Sequence, residues 1–306
     1  MIPKPRPHIL IVVVLYRTDF AGSETLAGLV TAFRANPALL DRMELLVWDN
    51  SPEALTDPEL PFAFTYQHAE RNDGVAGAYN AAARLAEQSG HTWMLLLDQD
   101  TGVTEEFLRS MDSYGRELAA NQNIAAVVPF LYAGSFQLSP RRLAVLNHPP
   151  IASGKSYIER RRMFAANSGT LMRVSALRQV GGYSLDFWLD HSDIYVFHQF
   201  HRHGLGIFVA ADLRLQHQVA MLDYDRRMTP ERYGNFLAAE AAFDAIHNGY
   251  MQRTVQTLRL PIRALRQRRY PNKVYSRMTW RAFWQRVIRR SRWWADARPG
   301  RRDLPG

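Results

Sequence analysis

One stretch limits what this chain can fold into more than any other. Thr92-Trp93-Met94-Leu95-Leu96-Leu97-Asp98-Gln99-Asp100-Thr101 runs five apolar residues straight into two acids spaced i, i+2. An apolar run that short predicts a buried strand rather than a long helix. In extended backbone, residues two apart point to the same side. Asp98 and Asp100 can therefore converge on one hard cation, and such a cation can bridge the phosphates of a nucleotide. A plainer reading is also open. Thr101-x-x-x-Glu105 has the form of a helix beginning, and two acids after a strand suit one.

The chain around this stretch alternates strand and helix patterns. Residues 8–17 form an apolar, β-branched run that predicts a buried strand. Ser23 and Thr25 open a helix through about Asn36, with Leu26, Leu29, Val30 and Phe33 at i, i+3, i+4, i+7. Strands are predicted over 43–48 and 62–68, and a helix over 74–88 with Gly77, Ala78, Ala81 and Ala82 along one side. After the strand at 93–97 come a helix over 105–120, a strand over 124–131 and an irregular stretch over 132–162. Residues 164–172 read as strand-like, 174–180 as a short helix stopped by Gly181-Gly182, and 186–203 as a helix capped by Gly204. Strands follow at 207–211 and 212–217. This alternation predicts a mostly parallel sheet with helices on both faces. In such sheets ligands bind beyond the carboxyl ends of the strands. Arg17, Asp49, Asn50, Arg71, Asn72, Asp98 and Asp100 all fall just past predicted strand ends, which points to a nucleotide site.

Composition narrows the setting. The 306 residues are 47% hydrophobic and 22% charged, which suits a globular protein. Cysteine is absent, so disulfides and cysteine-held metals are excluded. A net charge of +9 favours an acidic partner: nucleotide phosphates, anionic lipid or nucleic acid. Lys4 and Arg6 precede the apolar run Ile9–Tyr16 as they would in a secretion signal. That run is short, however, and no small-residue cleavage site follows, so it reads as the first strand of a cytoplasmic protein. Nor does it approach the roughly 20 residues of a spanning helix.

From about Tyr224 the strand pattern stops. The expected organisation is one α/β domain over residues 1–225 and a helical, Arg/Trp-rich extension over 226–306. Residues 253–302 hold sixteen Lys and Arg against one acid, Asp296. Trp280, Phe283, Trp284, Val287, Ile288, Trp293 and Trp294 are interleaved with them, and Phe283, Trp284, Val287 and Ile288 form a stripe at helical spacing. Such a segment suits an anionic membrane surface, a nucleic acid, or a helix that packs its aromatics inward and leaves its arginines in water. His198-x-x-His201-x-His203 has ligand-like spacing for zinc, but the neighbouring Ile194, Phe197 and Phe200 mark it as a core helix.

The ordered set of motifs resembles an inverting glycosyltransferase of family 2 with the GT-A fold, over roughly residues 8–225. It is most similar to bacterial rhamnosyltransferases of surface polysaccharide assembly. The residues that carry the resemblance are Val47-Trp48-Asp49-Asn50-Ser51, Arg71 through Asn80, Leu95 through Thr101, Asn167-Ser168-Gly169-Thr170, Gly181-Gly182-Tyr183, Phe187 through Asp193, and Leu215-Gln216-His217. The Asp-Gln-Asp-Thr form of the acid pair points to the rhamnosyl branch. The resemblance implies metal-dependent transfer of a sugar from a nucleotide-diphosphate donor to a hydroxyl of a saccharide acceptor, as in O-antigen or other surface polysaccharide synthesis. The favoured donor is dTDP-L-rhamnose, with a UDP-hexose as the alternative.

The same resemblance implies the roles. Asp100 binds Mg²⁺ or Mn²⁺ with help from Asp98, and His217 completes the metal or diphosphate site. Asp193 is the general base, its place near a helix start favouring the ionised form; Asp190 is an equally placed rival. Asp49 hydrogen-bonds the pyrimidine. Asn72, Gly74 and Asn80 shape the loop and helix start that hold the nucleotide, and Arg17 reaches the phosphates. Asn167 and Gly169 line the acceptor side. Ser192 stands where the family has the first acid of its pair. A lipid-linked acceptor would place the protein on the inner face of the cytoplasmic membrane. The rival class is a nucleotide- or nucleic-acid-binding protein that keeps the sheet without the chemistry.

Overall fold

The computed structural model describes residues 8–56, 58–144, 148–152, 154–216 and 228–288. The chain divides into two compact units, one of residues 1–143 and 149–218, the other of residues 144–148 and 219–306. The boundary expected at residue 225 lies outside the described residues.

In the first unit every residue of β1 (Ile9–Leu15) is buried, because the strand sits inside the sheet with helices over both faces. It pairs in parallel with β2 (Met43–Asp49) and β4 (Trp93–Asp98), and β2 pairs in parallel with β3 (Thr65–His68). Alternate residues of β1 face opposite ways. Ile9, Ile11, Val13 and Leu15 join Leu26, Leu29 and Phe33 of α1 (Glu24–Ala35) and Phe107, Leu108 and Met111 of α3 (Glu105–Glu117). Leu10, Val12 and Val14 join Ala78, Tyr79 and Ala82 of α2 (Gly74–Ser89). Of the small side expected on α2, Ala78 and Ala82 thus lie in the core, whereas Gly77 and Ala81 are half-buried.

Past β4 the sheet becomes mixed. β10 (Leu171–Arg173) is inserted antiparallel between β4 and β5 (Ile124–Ala133). β11 (Gly206–Gln216) runs parallel to β5, and β8 (Tyr157–Glu159) closes that edge antiparallel. The order is β3-β2-β1-β4-β10-β5-β11-β8, with β6 (Phe136–Ser139) beside β5. A small second sheet pairs β7 (Arg141–Arg142) with β9 (Met163–Phe164). The buried Arg173 holds β10 in place. It donates to the carbonyls of Ile124, Leu118 and Asn121, and its guanidinium lies 4.1 Å from the Trp93 ring centroid.

Several elements differ from the sequence-based expectation. The third strand starts at Thr65 rather than Phe62, since Phe62 turns inward to an edge contact with Phe33, 4.9 Å between ring centroids. Residues 164–172 are not one strand: β9 ends at Phe164 and β10 begins at Leu171, with a turn between them in which Gly169 has φ +80°. The stretch over 132–162 carries β6, β7 and β8. The two strands expected over 207–217 are one, with a register shift between Val209 and Arg214; residue 217 lies outside the described residues. The helix expected from 186 is split into a 3-10 turn at Leu185–Phe187 and α5 (Ser192–Arg202), because His191 adopts φ +65°. The short helix expected over 174–180 is α4 (Val174–Gln179), followed by Gly181 and Gly182 at φ +83° and +75°.

The second unit is helical. α6 (Pro230–His247), α7 (Tyr250–Gln267) and α8 (Val274–Ile288) surround a core of Met228, Tyr233, Leu237, Leu260 and Tyr275. Inside it, Arg286 donates to Asp244 at 2.8 Å and lies 3.6 Å from Glu240, which also pairs with Arg263 at 2.6 Å. The stripe expected on α8 is divided: Phe283 packs against this core, whereas Trp284, Val287 and Ile288 are exposed. Trp293 and Trp294 lie outside the described residues. Among the described residues no helix is long and apolar enough to cross a membrane.

Candidate active site

The parallel strands β1 to β4 end at one rim, and the loops that leave it are tied to one another by side chains. After β2, the buried Asp49 accepts the Ser51 N–H at 2.8 Å and the Tyr66 hydroxyl at 2.7 Å. Ser51 accepts the Arg17 N–H through its hydroxyl and the His68 imidazole through its carbonyl, both at 2.8 Å. Asp49 is thus the knot of the rim. Asp49 is fully buried, so a direct bond from it to a pyrimidine would require its cover to shift. Arg17 is exposed, with φ +54° and its guanidinium 5.2 Å from the Tyr16 ring centroid.

The start of α2 is built around Gly74. Its N–H donates to Asn72 Oδ1 at 2.8 Å and its carbonyl accepts from Asn50 at 3.1 Å. Gly74 has φ +68°, and a Cβ there would come within 2.2 Å of the Trp188 carbonyl oxygen. Both backbone conformation and space therefore demand glycine. One turn and a half further on, Asn80 donates to the Tyr183 carbonyl at 2.8 Å and accepts the Tyr183 N–H at 2.9 Å. Asn80 anchors the turn after α4 to α2, and serves the site by placing Tyr183.

The acid pair sits on a loop gripped from two sides. Ser23 donates to the Gln99 carbonyl at 2.9 Å, and the Thr25 hydroxyl lies 2.5 Å from the Asp98 carbonyl and 3.0 Å from that of Thr101. Thr25 also accepts the Thr101 N–H at 2.9 Å. From the other side Ser168 accepts the Asp98 N–H at 3.0 Å and pairs with the Thr101 hydroxyl at 2.5 Å. Gly169 then donates to the Leu96 carbonyl at 2.7 Å, and a Cβ on it would lie 2.5 Å from a Leu215 methyl. These bonds tie down the backbone on both sides of the acid pair.

Opposite this loop stands Asp193, in the first turn of α5. Asn167 connects the two sides: it accepts the Tyr183 hydroxyl at 2.9 Å and donates to Ser192 at 3.1 Å, and Ser192 donates to the Leu189 carbonyl at 3.2 Å. Ser192 is therefore a structural link rather than a second acid. The Asp193 carboxyl is pushed up to about 6. Burial is the first cause; the Ile194 N–H, 2.7 Å away, opposes it, and the charges of Asp190 and Asp98 add to it. Enclosure thus outweighs the two backbone N–H groups, of Ile194 and of Asp193 itself, that favour the ionised form at this helix start. Its surface is still partly open, which leaves an approach for a hydroxyl. Burial also pushes the Tyr79 and Tyr183 phenols well above their usual range, and the charges of Asp98 and Asp193 reinforce it. Tyr79 Oη lies 3.4 Å from Asp98 Oδ1, and the two rings are 5.3 Å apart.

The structure thus brings Asp98, Asp190 and Asp193 into one electrostatic centre, with Asp100 two residues beyond Asp98 on the same loop. Oxygen ligands of this kind fit Mg²⁺ or Mn²⁺, which bind through one or two carboxylates and complete their shells with water and phosphate oxygens. No group of three metal-ligating side chains occurs among the described residues; His217 lies outside them. The α5 histidines are turned to other partners: His198 to Arg162 at 3.4 Å, His201 to the Arg160 carbonyl at 3.1 Å and His203 to the Gln199 carbonyl at 2.9 Å. Sequence reasoning missed Thr25, Ser168, Tyr79 and Tyr183. Ser168, Tyr79 and Tyr183 stand inside motifs that carry the resemblance, which gives them no role of their own, and Thr25 reads only as part of a helix start.

Comparisons with known proteins bear on the family and the fold. The model of the family described as Glycosyl transferase family 2 matches residues 10–181. No curated protein sequence matches the chain. Among solved structures the chain is similar to that of GalNAc-T7 with UDP, GalNAc and Mn²⁺, at 11% identity over 81% of this chain and 54% of that one, with a TM-score of 0.50. It is also similar to S. aureus TarS 1-349, at 13% identity over 91% of this chain and 89% of that one, with a TM-score of 0.46. The chain spans about half of the GalNAc-T7 chain, and at this identity the likeness bears on the fold alone.

Proposed function

The chain belongs to glycosyl transferase family 2, and from that membership we propose that it transfers L-rhamnose from dTDP-L-rhamnose to a saccharide hydroxyl, with inversion at the anomeric carbon. Its fold is of the GT-A type, and it is a glycosyltransferase that uses a nucleotide-sugar donor. The observation that carries the mechanism is the pairing of Asp98, on the fixed rim loop, with the enclosed, partly accessible Asp193 across from it.

Attack at an anomeric carbon needs an acceptor that loses its proton and a diphosphate that can leave. Asp193 takes the proton. A carboxylate pushed up to about 6 is a better proton acceptor than an ordinary one, and is still ionised at neutral pH. Asp98 and Asp100 would hold Mg²⁺ or Mn²⁺ against the diphosphate, and the ion would supply charge neutralisation as that group departs. Gly74 and Asn72 shape the backbone beside the nucleotide, Asp49 and Ser51 keep the rim closed under it, and Arg17 reaches from the end of β1 to the phosphates. Asn167 holds the acceptor-side turn in register through Ser192.

The rhamnosyl donor is supported by the Asp98-Gln99-Asp100-Thr101 motif. Surface polysaccharide synthesis is the setting that the resemblance favours, with a lipid-linked acceptor and a cytoplasmic protein peripheral on the membrane. The basic composition of the second unit supports that placement. The same fold accommodates UDP, GalNAc and Mn²⁺ in GalNAc-T7, so UDP-hexoses belong in the test. Purified protein is screened for turnover of dTDP-L-rhamnose and UDP-hexoses with Mg²⁺ and Mn²⁺, and Asp100→Ala is measured beside it. We expect turnover of the rhamnosyl donor and its loss in the variant, at unchanged melting temperature. Turnover of a UDP-hexose instead replaces the donor assignment; full activity in Asp100→Ala removes the metal role.

A further inference from the structure

The proposed chemistry makes no use of the outer face of α7, and that face has a definite pattern. α7 has two apolar edges. One is buried through Thr257, Leu260, Ala264 and Gln267. On the other, Met251, Val255, Leu258, Ile262 and Leu265 recur at i, i+4, i+7, i+11 and i+14, a single line along the helix. Four of them stand in solvent: Met251 is 72% exposed, Leu258 60%, Ile262 53% and Leu265 52%. Single exposed apolar residues need no account, but a continuous line of them marks a surface that binds something.

The charges around the line select what it binds. Between Ala245 and Ile288 there is no Asp or Glu, against ten Lys and Arg. Some of these cations are committed internally: Arg253 caps carbonyls at the end of α6, Arg263 pairs with Glu240, and Arg286 with Asp244. Arg259 and Arg266 each follow a leucine of the line by one residue, so they border one long edge of it. The exposed Arg268 and Arg269 continue the basic border past the end of the helix.

We infer that α7 docks on an anionic lipid bilayer, with Met251, Leu258, Ile262 and Leu265 at the boundary of headgroups and acyl chains and Arg259 and Arg266 at the level of the lipid phosphates. The inference deepens the membrane placement of the proposed function and rests on it, but it moves the contact from the tryptophan-rich stretch to α7. The line's spacing also suits a second copy of the chain. Helix pairing would then set Arg259 and Arg266 against a flank of Thr254 and Pro261, with no acid to answer them. A surface of lipid phosphates answers them fully.

The test is flotation of the full chain with vesicles of phosphatidylcholine alone and of phosphatidylcholine with phosphatidylglycerol, at low and high salt. We expect capture by the phosphatidylglycerol vesicles and its weakening by salt. The Leu258→Ser/Ile262→Ser/Leu265→Ser variant is expected to lose on the order of a hundredfold in partitioning, at an unchanged melting temperature because the three side chains are exposed. Undiminished capture of this variant overturns the inference, as does equal capture by neutral vesicles. A wild-type dimer that the triple substitution makes monomeric, or retention on single-stranded nucleic acid without vesicle capture, overturns it too. Donor turnover is read in parallel in vesicle-free buffer. An active protein that does not float refutes the docking alone, and an inactive one that floats by this face refutes the transferase reading alone.

Discussion

Asp193 shows how much a residue's surroundings decide its chemistry. Its carboxyl rises to about 6 by burial, with Asp190 and Asp98 adding to the effect. For a general base the sign is direct: below its pKa the residue carries the proton it should be taking. We expect kcat/KM to fall about tenfold per pH unit below roughly pH 6 and to level off above it. Asp193→Asn should reduce kcat by roughly 10²–10⁴. Asp190→Asn should leave most of kcat and move the acid limb to lower pH, because it removes a negative charge beside Asp193. If Asp190→Asn is the variant that loses turnover, the two roles are exchanged. The resemblance marked both acids, through the motif that runs from Phe187 to Asp193. It could not show the enclosure that raises Asp193, because Tyr79 and Tyr183, whose phenols feel the charges of Asp98 and Asp193, come from separate parts of the chain. Ser192 is the converse case. It occupies the position of an acid, yet its hydroxyl is spent on Asn167 and Leu189.

Elements with their own strong periodicity were legible in the sequence. The four apolar positions at 26, 29, 30 and 33 mark α1, and the small side chains along 77–82 mark α2. Elements defined by distant partners were not. β10 is three residues long and exists because it fills the space between β4 and β5; a run that short has no period to read. The turn at Asn167–Gly169 likewise follows from contacts with Leu96 and Leu215 rather than from local sequence. The start of α1 combines both situations. Ser23 was readable as a cap, and it does accept the Leu26 N–H at 3.2 Å. Its second task, shared with Thr25, is to hold the loop of Asp98 and Asp100, and that partner lies 76 residues further along the chain. A buried N–H left without an acceptor costs about 1–3 kcal/mol. Thr25→Val keeps the shape of the side chain and strips the acceptor from Thr101. We expect a loss of stability in that range and about a tenfold rise in KM for the nucleotide sugar, from a loop no longer fixed in advance. A melting temperature and KM both equal to wild type would show that Ser23 and Ser168 hold the loop without Thr25.

At the scale of the whole molecule, stability against pH is a sum of opposed groups, and the two units contribute in different ways. Asp193 in the first unit and Asp244 in the second are both raised to about 6, each mainly by burial. A carboxyl whose folded pKa lies above its unfolded one lends stability that is complete below about pH 4 and is lost as pH rises through 6. His8 and His91, lowered by burial, act the other way and favour the folded state as pH rises. Glu159 is lowered despite its burial: the Arg161 N–H, the Tyr157 hydroxyl and Arg142 hold it ionised, so its contribution is lost as pH falls through its folded value. A melting curve of the wild type alone mixes these terms, whereas a difference between variant and wild type isolates one. Asp193→Asn keeps an oxygen for the Ile194 N–H and removes the buried charge. Its melting temperature should match wild type below about pH 4 and exceed it increasingly up to about pH 7. The gain should level off near 3 kcal/mol, the free energy of a shift from 3.8 to about 6, or several degrees. A variant curve for Asp193→Asn that runs parallel to wild type across this range would show that the carboxylate is solvated as an ordinary acid, and with it the acid limb expected of catalysis near pH 6 would disappear.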